Sequence, residues 1–455
     1  MSGRHRWSYQ ALDSAVDRLA DGLRRLALVP GDRVVVHLPN TPGLVTLSFA
    51  LFRLGVLPVL VPPAQRANEV VRLCETAEPV AYVVPDEHGG VDYRELAATV
   101  RSRAPTLRHV LVDGAAGPFT SLAEIAETGS GTGSESFAPS PASVAMLLPS
   151  GGTTGSPKLI PRTHQDYAYN VRASARLCGF DETTVYLAAL PVTHNFALGC
   201  PGALGTWYMG GKVVLSTDPT PGAAFEVIRR EGVTVTALVP PLALLWIEEA
   251  EWSGSAPASL RLVQVGGSRF GAEHARRLRP ALGCPLQQVY GMAEGLLSYT
   301  RLDDPEESIV STQGRPLSPA DEVRVVDEHG RNLDTGEMGE LLVRGPYTVR
   351  GYYRAPEYDA QAFTADGFYR TGDLARLTPT GRLRIEGRRK DVINRGGEKV
   401  PAEEVENHLL AHPLVADVAL VAMPDAHLGE RTCAFVVARN QPPTLSELAA
   451  FLRER

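Results

Sequence analysis

Short, mostly apolar runs alternate along most of this chain with segments whose apolar residues recur at helical spacing. Arg33-Val-Val-Val-His-Leu38, Val59-Leu60-Val61, Val80-Ala-Tyr-Val-Val84 and His109-Val-Leu-Val112 are runs of the first kind. Ala11, Leu12, Ala15, Val16, Leu19, Ala20 and Leu23 set out a helix from Tyr9 to Arg25, and Leu44 to Leu54 set out a second that ends at Gly55. A strand apolar on both faces and followed by a helix suits a parallel sheet, whose crossover helices cover both sides. The alternation resumes at Thr183 to Leu190, Lys212 to Leu215, Val233 to Val239, Arg261 to Val265 and Leu286 to Tyr290. Two βαβ-type subdomains of an α/β fold are therefore expected. From about Asp321 short strands with glycine turns (Glu322 to Val326, Gly339 to Val343, Gly381 to Glu386) predict a small antiparallel, barrel-like portion. After a charged junction, Gly387-Arg-Arg-Lys-Asp391, a helix (Val405 to Leu410), two strands (Val415 to Val421, Thr432 to Ala438) and a helix (Leu445 to Leu452) predict a small α+β unit.

Composition narrows the function classes. The 455 residues carry a net charge of −7 without a basic block, which argues against a nucleic-acid partner. Met1 to Trp7 lacks an apolar signal core and no apolar run is long enough to span a bilayer, so no membrane partner is expected. Cys74, Cys178, Cys200, Cys284 and Cys433 have no metal-ligand spacing and read as reduced thiols of a cytoplasmic protein. Only four lysines occur: Lys158, Lys212, Lys390 and Lys399.

The apolar run Val144 to Leu148 leads into Ser150-Gly151-Gly152-Thr153-Thr154-Gly155-Ser156-Pro157-Lys158. Glycine backbone N–H groups, the hydroxyls of Thr153, Thr154 and Ser156 and the Lys158 ammonium can converge on a polyphosphate. The stretch is equally a flexible turn when read alone. It is not the Walker loop, since Ser156 and Pro157 separate Gly155 from Lys158. Three more polar or glycine-rich turns follow expected strands: Pro191-Val-Thr-His-Asn-Phe196, Gly266-Gly267-Ser268 and Gly291-Met-Ala-Glu294. Open α/β sheets bind ligands at the carboxyl ends of their strands, so these turns can build one composite site.

Taken together and in order, these motifs resemble the adenylate-forming superfamily of acyl- and aryl-CoA synthetases, luciferases and peptide-synthetase adenylation domains. Lys158-Leu-Ile-Pro-Arg-Thr-His164, Leu187-Ala-Ala-Leu-Pro191, Gly291-Met-Ala-Glu-Gly295 and Asn394-Arg-Gly-Gly-Glu-Lys-Val400 look like its aryl-acid branch, the 2,3-dihydroxybenzoate– and salicylate–AMP ligases. The resemblance implies ATP and Mg²⁺ as cofactors. It also implies an aryl acid as substrate and the phosphopantetheine thiol of an aryl carrier protein, or CoA, as acceptor, in siderophore or related nonribosomal peptide synthesis. By the same resemblance Ser150 to Gly155 and Lys158 hold phosphates, Glu294 binds Mg²⁺, and Gly266 and Gly267 lie against adenine. Tyr290 and Gly291 precede the metal-binding Glu294, Asp373 of Tyr369-Arg-Thr-Gly-Asp373 accepts the ribose hydroxyls, and Arg388 assists. Lys399 faces the pantetheine tunnel. A hinge at Lys390 and Asp391 then divides a large adenylate-forming domain, 1–389, from a small C-terminal domain, 390–455.

The resemblance further places an acid pocket at His194, Asn195, Phe196, Cys200, Gln264, Val289, Leu297 and Ser298. Asn195 would bond an ortho hydroxyl and Phe196 pack on the ring. Leu297, where the dihydroxybenzoate enzymes usually carry Val, favours salicylate; Ser298 departs from the usual Asn and leaves 3-hydroxypicolinate or a hydroxyanthranilate open. Family members also have residues ahead of the stretch like Arg6-Trp-Ser-Tyr9 and a distal Gly-Lys motif, whereas no lysine here follows Lys399. The expectation is a truncated, loosely held small domain and a polypeptide that adenylates poorly alone, with a non-catalytic adenylate-binding fragment as the competing reading.

Overall fold

The computed structural model describes residues 6–131, 139–150, 157–395, 398–425 and 429–453. Two seven-stranded sheets form its body. In the first, Thr120–Ser121, His109–Asp113, Ala81–Pro85, Arg33–Val36, Leu57–Leu60 and Val144–Pro149 lie side by side and parallel, and Leu159–Thr163 closes the edge antiparallel. Val35 and Val36 are both fully buried but enter different cores, because successive side chains leave opposite faces. Helices Tyr9–Arg25 and Pro42–Leu54 cover one face and Ala67–Ala77 and Tyr93–Arg103 the other. In the second sheet Lys212–Leu215, Val185–Ala188, Val235–Leu238, Leu262–Gly266 and Leu286–Met292 are parallel. Leu296–Tyr299 and Arg315–Pro316 continue it antiparallel.

The barrel-like expectation takes the form of an open antiparallel meander, Glu322–Val326, Gly339–Arg344, Tyr369–Leu377 and Leu383–Arg388. Its last strand turns toward the second sheet: Gln313 N–H donates to Leu383 O at 2.8 Å, and Leu383 N–H to Gly314 O at 2.7 Å. Gly314 sits at this seam with φ +73°, and a Cβ there would stand 1.9 Å from Tyr299 O. The α+β unit pairs Val392–Arg395 with Glu398–Pro401 and joins them to the long hairpin Val415–Asp425/Gly429–Ala438. Helices Ala402–Leu410 and Leu445–Arg453 pack on it around Ile393, Leu409, Val415, Leu420 and Leu448. The outer face of the hairpin exposes Val421, Phe435 and Val437.

Several antiparallel strands go beyond the sequence pattern, and two of them extend the large sheets. Leu159–Thr163 contains Pro161 and Arg162, and Leu296–Tyr299 follows directly on the Gly291-Met-Ala-Glu294 turn, so neither announces itself as a periodic run. Each pairs antiparallel with the strand that precedes it in the chain, Val144–Pro149 and Leu286–Met292 respectively.

Gly314→Ala is expected to destabilise the protein by at least about 2 kcal/mol, since it adds left-handed strain to a backbone clash. Denaturant unfolding checks this; a loss near zero would show that the seam can open.

Candidate active site

Three of the four turns singled out in the sequence, those after Ala188, Val265 and Tyr290, lie along the carboxyl edge of the second sheet, and the fourth follows Val144–Pro149 of the first. Leu262–Gly266 and Leu286–Met292 are adjacent parallel strands with Gly266 opposite Val289, so the Gly266-Gly267 turn lies next to Tyr290 and Gly291. A Cβ on Gly266 would meet Val289 O at 2.4 Å and the Phe196 ring at 3.2 Å, so this position must stay bare. A cleft of about 690 Å³ opens here, lined by Gly267, Tyr290, Gly291, Asp373 and Arg388 and closed on the far side by Glu403 of the small unit.

Tyr290 Oη donates to Asp373 Oδ2 at 2.6 Å, and Arg388 Nε lies 3.4 Å from Asp373 Oδ1. Burial raises the Asp373 carboxyl above the usual carboxylate range, against the pull of the Tyr290 hydrogen bond and the Arg388 charge. Burial likewise keeps the Tyr290 phenol protonated, so it remains a donor. The meander therefore delivers Asp373 and Arg388 to the sheet edge that supplies Tyr290.

Glu294 is 8 % exposed, and among the described residues its carboxylate has one hydrogen-bond partner, the hydroxyl of Tyr352, which donates to Oε1 at 2.6 Å. No arginine or lysine pairs with it among the described residues. Burial, with the Glu294 charge, holds Tyr352 protonated. A buried carboxylate without a counter-charge suits a hard divalent cation, so the residue present fits Mg²⁺. Ser150 stands at the mouth of the glycine-rich loop, where its N–H donates to Lys158 O at 2.8 Å and its Oγ accepts from Lys158 N–H at 3.3 Å. Gly151, Gly152, Thr153, Thr154 and Gly155 lie outside the described residues. Lys158 Nζ rests 3.6 Å from the centroid of the Tyr358 ring.

The acid-pocket residues divide. Phe196, Cys200, Val289 and Leu297 are buried in one shared core, with half-buried Asn195 at its rim. Asn195 begins the short helix Asn195–Gly199, whose N-cap His194 accepts from Phe196 N–H through Nδ1 at 3.2 Å; in the neutral ring the hydrogen is then on Nε2. Leu297 stands against Gly291, where an added Cβ would lie 2.4 Å from its Cδ2. Gln264 is fully buried, its Nε2 donating to Gln287 Oε1 at 2.9 Å, while its Oε1 has no partner among the described residues. Ser298 is not brought into this group. It pairs with Tyr290 rather than with Gly291, which puts it on the opposite face from Leu297, and its hydroxyl donates to Gln313 O at 2.8 Å. Lys399 is placed by its backbone opposite Asn394 in the hairpin of the small unit, and its side chain lies outside the description.

Sequence reasoning missed Tyr352, Tyr358, Tyr167 and Arg162. Tyr167 Oη donates to Asn195 Oδ1 at 2.9 Å, and Arg162 donates to Ala293 O at 2.7 Å, beside Glu294. Each acts through a partner distant in the chain. The one available signal was the tyrosine-rich segment Tyr352 to Tyr369.

Two α/β sheets, a meander and a small α+β unit that meet at such a cleft define an adenylate-forming enzyme. The chain belongs to the AMP-binding enzyme family: residues 1–353 match the AMP-binding enzyme family and residues 404–455 the AMP-binding enzyme C-terminal domain. It is 55 % identical over 454 residues to the 2,3-dihydroxybenzoate-AMP ligase of Bacillus subtilis, covering 100 % of this chain and 83 % of that relative. It is 50 % identical over 448 residues to the salicyl-AMP ligase / salicyl-S-ArCP synthetase of Mycobacterium tuberculosis, covering 98 % and 79 %. The apo structure of Mycobacterium smegmatis MbtA superposes with a TM-score of 0.80 at 49 % identity, covering 99 % of this chain and 84 % of that one.

Nucleotide affinity should fall as pH drops through the raised Asp373 pKa, because the protonated acid loses its pairing with Arg388 and accepts hydroxyls less well. Tyr290→Phe removes a donor that favours the charged form. The midpoint of this loss, measured by calorimetry with AMP, is therefore expected at higher pH in the variant; an unchanged midpoint would rule out the coupling.

Proposed function

We propose that this chain activates an aryl acid of the salicylate or 2,3-dihydroxybenzoate type to its aryl-AMP. It then passes the acyl group to the phosphopantetheine thiol of an aryl carrier protein, for siderophore-type or related nonribosomal peptide assembly. One observation carries the reading. A Cβ added at Gly266 would stand 3.2 Å from the Phe196 ring, so the residue expected to pack on the acid sits beside the glycine turn at the edge of the cleft, and an acid held there would face a phosphate in the cleft. The similarity to the two aryl-acid ligases supports it.

In the first step a carboxylate oxygen of the acid bonds to the α-phosphorus of ATP and pyrophosphate leaves. In the second the thiol bonds to the acyl carbon, loses its proton and releases AMP. The protein contributes orientation and charge. Asp373 and Arg388 hold the ribose, Lys158 and the loop from Ser150 the terminal phosphates, and Gly266 and Gly267 the adenine face. Glu294 would hold Mg²⁺, which when bound supplies neutralising charge to the phosphates. His194 and Asn195 line the acid, and Lys399 serves the thiol-transfer arrangement reached by rotation of 390–455 against 1–389 about Lys390 and Asp391.

Leu297 selects the acid. Its packing against Gly291 takes the room a 3-hydroxyl needs, which favours salicylate over 2,3-dihydroxybenzoate by about 1–3 kcal/mol. Thermal-shift titration with ATP and Mg²⁺, together with pyrophosphate exchange, tests both points. Salicylate is expected to stabilise the protein most, and Leu297→Val to narrow the gap to 2,3-dihydroxybenzoate. Stabilisation by no aryl acid, with no exchange, would sink the proposal.

A further inference from the structure

Asn195 can offer the acid pocket either its N–H₂ or its carbonyl, and the two select different ortho substituents. Four features around it decide which. Tyr167 is 4 % exposed, and among the described residues its hydroxyl has one hydrogen-bond partner, Asn195 Oδ1 at 2.9 Å. Burial keeps this phenol protonated, so it has a hydrogen to place. The hydroxyl occupies a slot left by Gly199, where an added Cβ would stand 2.6 Å from it. Cys200 Sγ donates to the Asn195 backbone oxygen at 3.4 Å, and Asn195 Nδ2 lies on the Cys200 side at 3.5 Å from Sγ. Were the amide turned over, the Tyr167 hydrogen would face an N–H₂ and stay buried without an acceptor, which is costly.

We infer that Tyr167 is a specificity-determining positioning residue: it locks the Asn195 amide with its N–H₂ toward the acid pocket, so that the site takes ortho-hydroxy acids and rejects ortho-amino acids. The chemistry follows from the acids themselves. In salicylate the phenolic hydrogen bonds the neighbouring carboxylate, and the phenolic oxygen is left to accept from Asn195. In anthranilate the ring nitrogen shares its lone pair with the ring and presents N–H, which meets another donor. Arg162, whose guanidinium lies 4.9 Å over the Tyr167 ring, holds that ring in place from its outer side.

The inference rests on the aryl-acid reading above, and its test separates the two. Dissociation constants for salicylate and anthranilate are measured by calorimetry on the whole chain, wild type and Tyr167→Phe, with unliganded melting temperatures alongside. Wild type is expected to prefer salicylate. In Tyr167→Phe the amide can turn, and the salicylate-to-anthranilate preference is expected to fall roughly tenfold, the scale of one hydrogen bond. Asn195→Asp keeps an acceptor for Tyr167 and replaces the pocket-facing N–H₂ by oxygen. It is expected to lose or reverse the preference, and it decides the matter if Tyr167→Phe does not fold. A wild-type preference for salicylate that survives in the folded variants overturns the role of Tyr167 alone. Binding of neither acid by wild type overturns the aryl-acid reading and this inference with it.

Discussion

A guanidinium buried to 1 % exposure has to find an acceptor for its donors inside the protein, and Arg162 finds them on three separate parts of the chain. Its Nε donates to Asp166 Oδ1 at 2.9 Å, Nη1 to Ala293 O at 2.7 Å and Nη2 to Tyr347 O at 3.1 Å. Asp166 also accepts from the N–H and hydroxyl of Thr163 and so caps the helix His164–Leu177. One side chain thus ties the edge of the first sheet, the turn that carries Glu294 and the segment leading to Tyr352. Stripping a buried charge of its partner costs on the order of 3–5 kcal/mol, so these three parts are held in one arrangement. The site depends on that arrangement, since neither sheet alone contains both ends of it.

Around this fixed joint three charged residues are left incompletely compensated. Glu294 has a phenol for a partner rather than a cation, and Lys158 rests on an aromatic face rather than on a carboxylate. Asp373 is buried enough to be raised above its usual range although Tyr290 and Arg388 attend it. Glu386, which also lines the cleft, is by contrast fully buried and met by Arg269 at 3.4 Å, Arg376 at 3.0 Å and Arg384 at 3.1 Å.

Much of this was legible from local pattern. The helix expected from Tyr9 to Arg25 is Tyr9–Arg25, and the strand expected from Lys212 to Leu215 is Lys212–Leu215. Apolar runs and glycine turns work locally, so their positions can be read locally. Leu159–Thr163 could not be read in this way, because Pro161 and Arg162 make sense only beside their tertiary neighbours. Ser298, placed in the acid pocket by resemblance, shows what such a reading leaves open: neighbours in a strand leave opposite faces, and the Ser298 hydroxyl donates to Gln313 O on the face away from Leu297.

By itself the sequence determined the order of most strands and helices along the chain and the turns that end them. It did so because these are properties of short stretches, where spacing and side-chain type are sufficient. Only the tertiary structure decided that Tyr352 would hold Glu294, that Tyr290 would hold Asp373, and that Tyr167 would aim the amide of Asn195. Each of these is one hydrogen bond between residues far apart in the chain, 58, 83 and 28 positions respectively. No local pattern encodes such a bond; it forms where packing brings a donor within reach of an acceptor that would otherwise be buried alone.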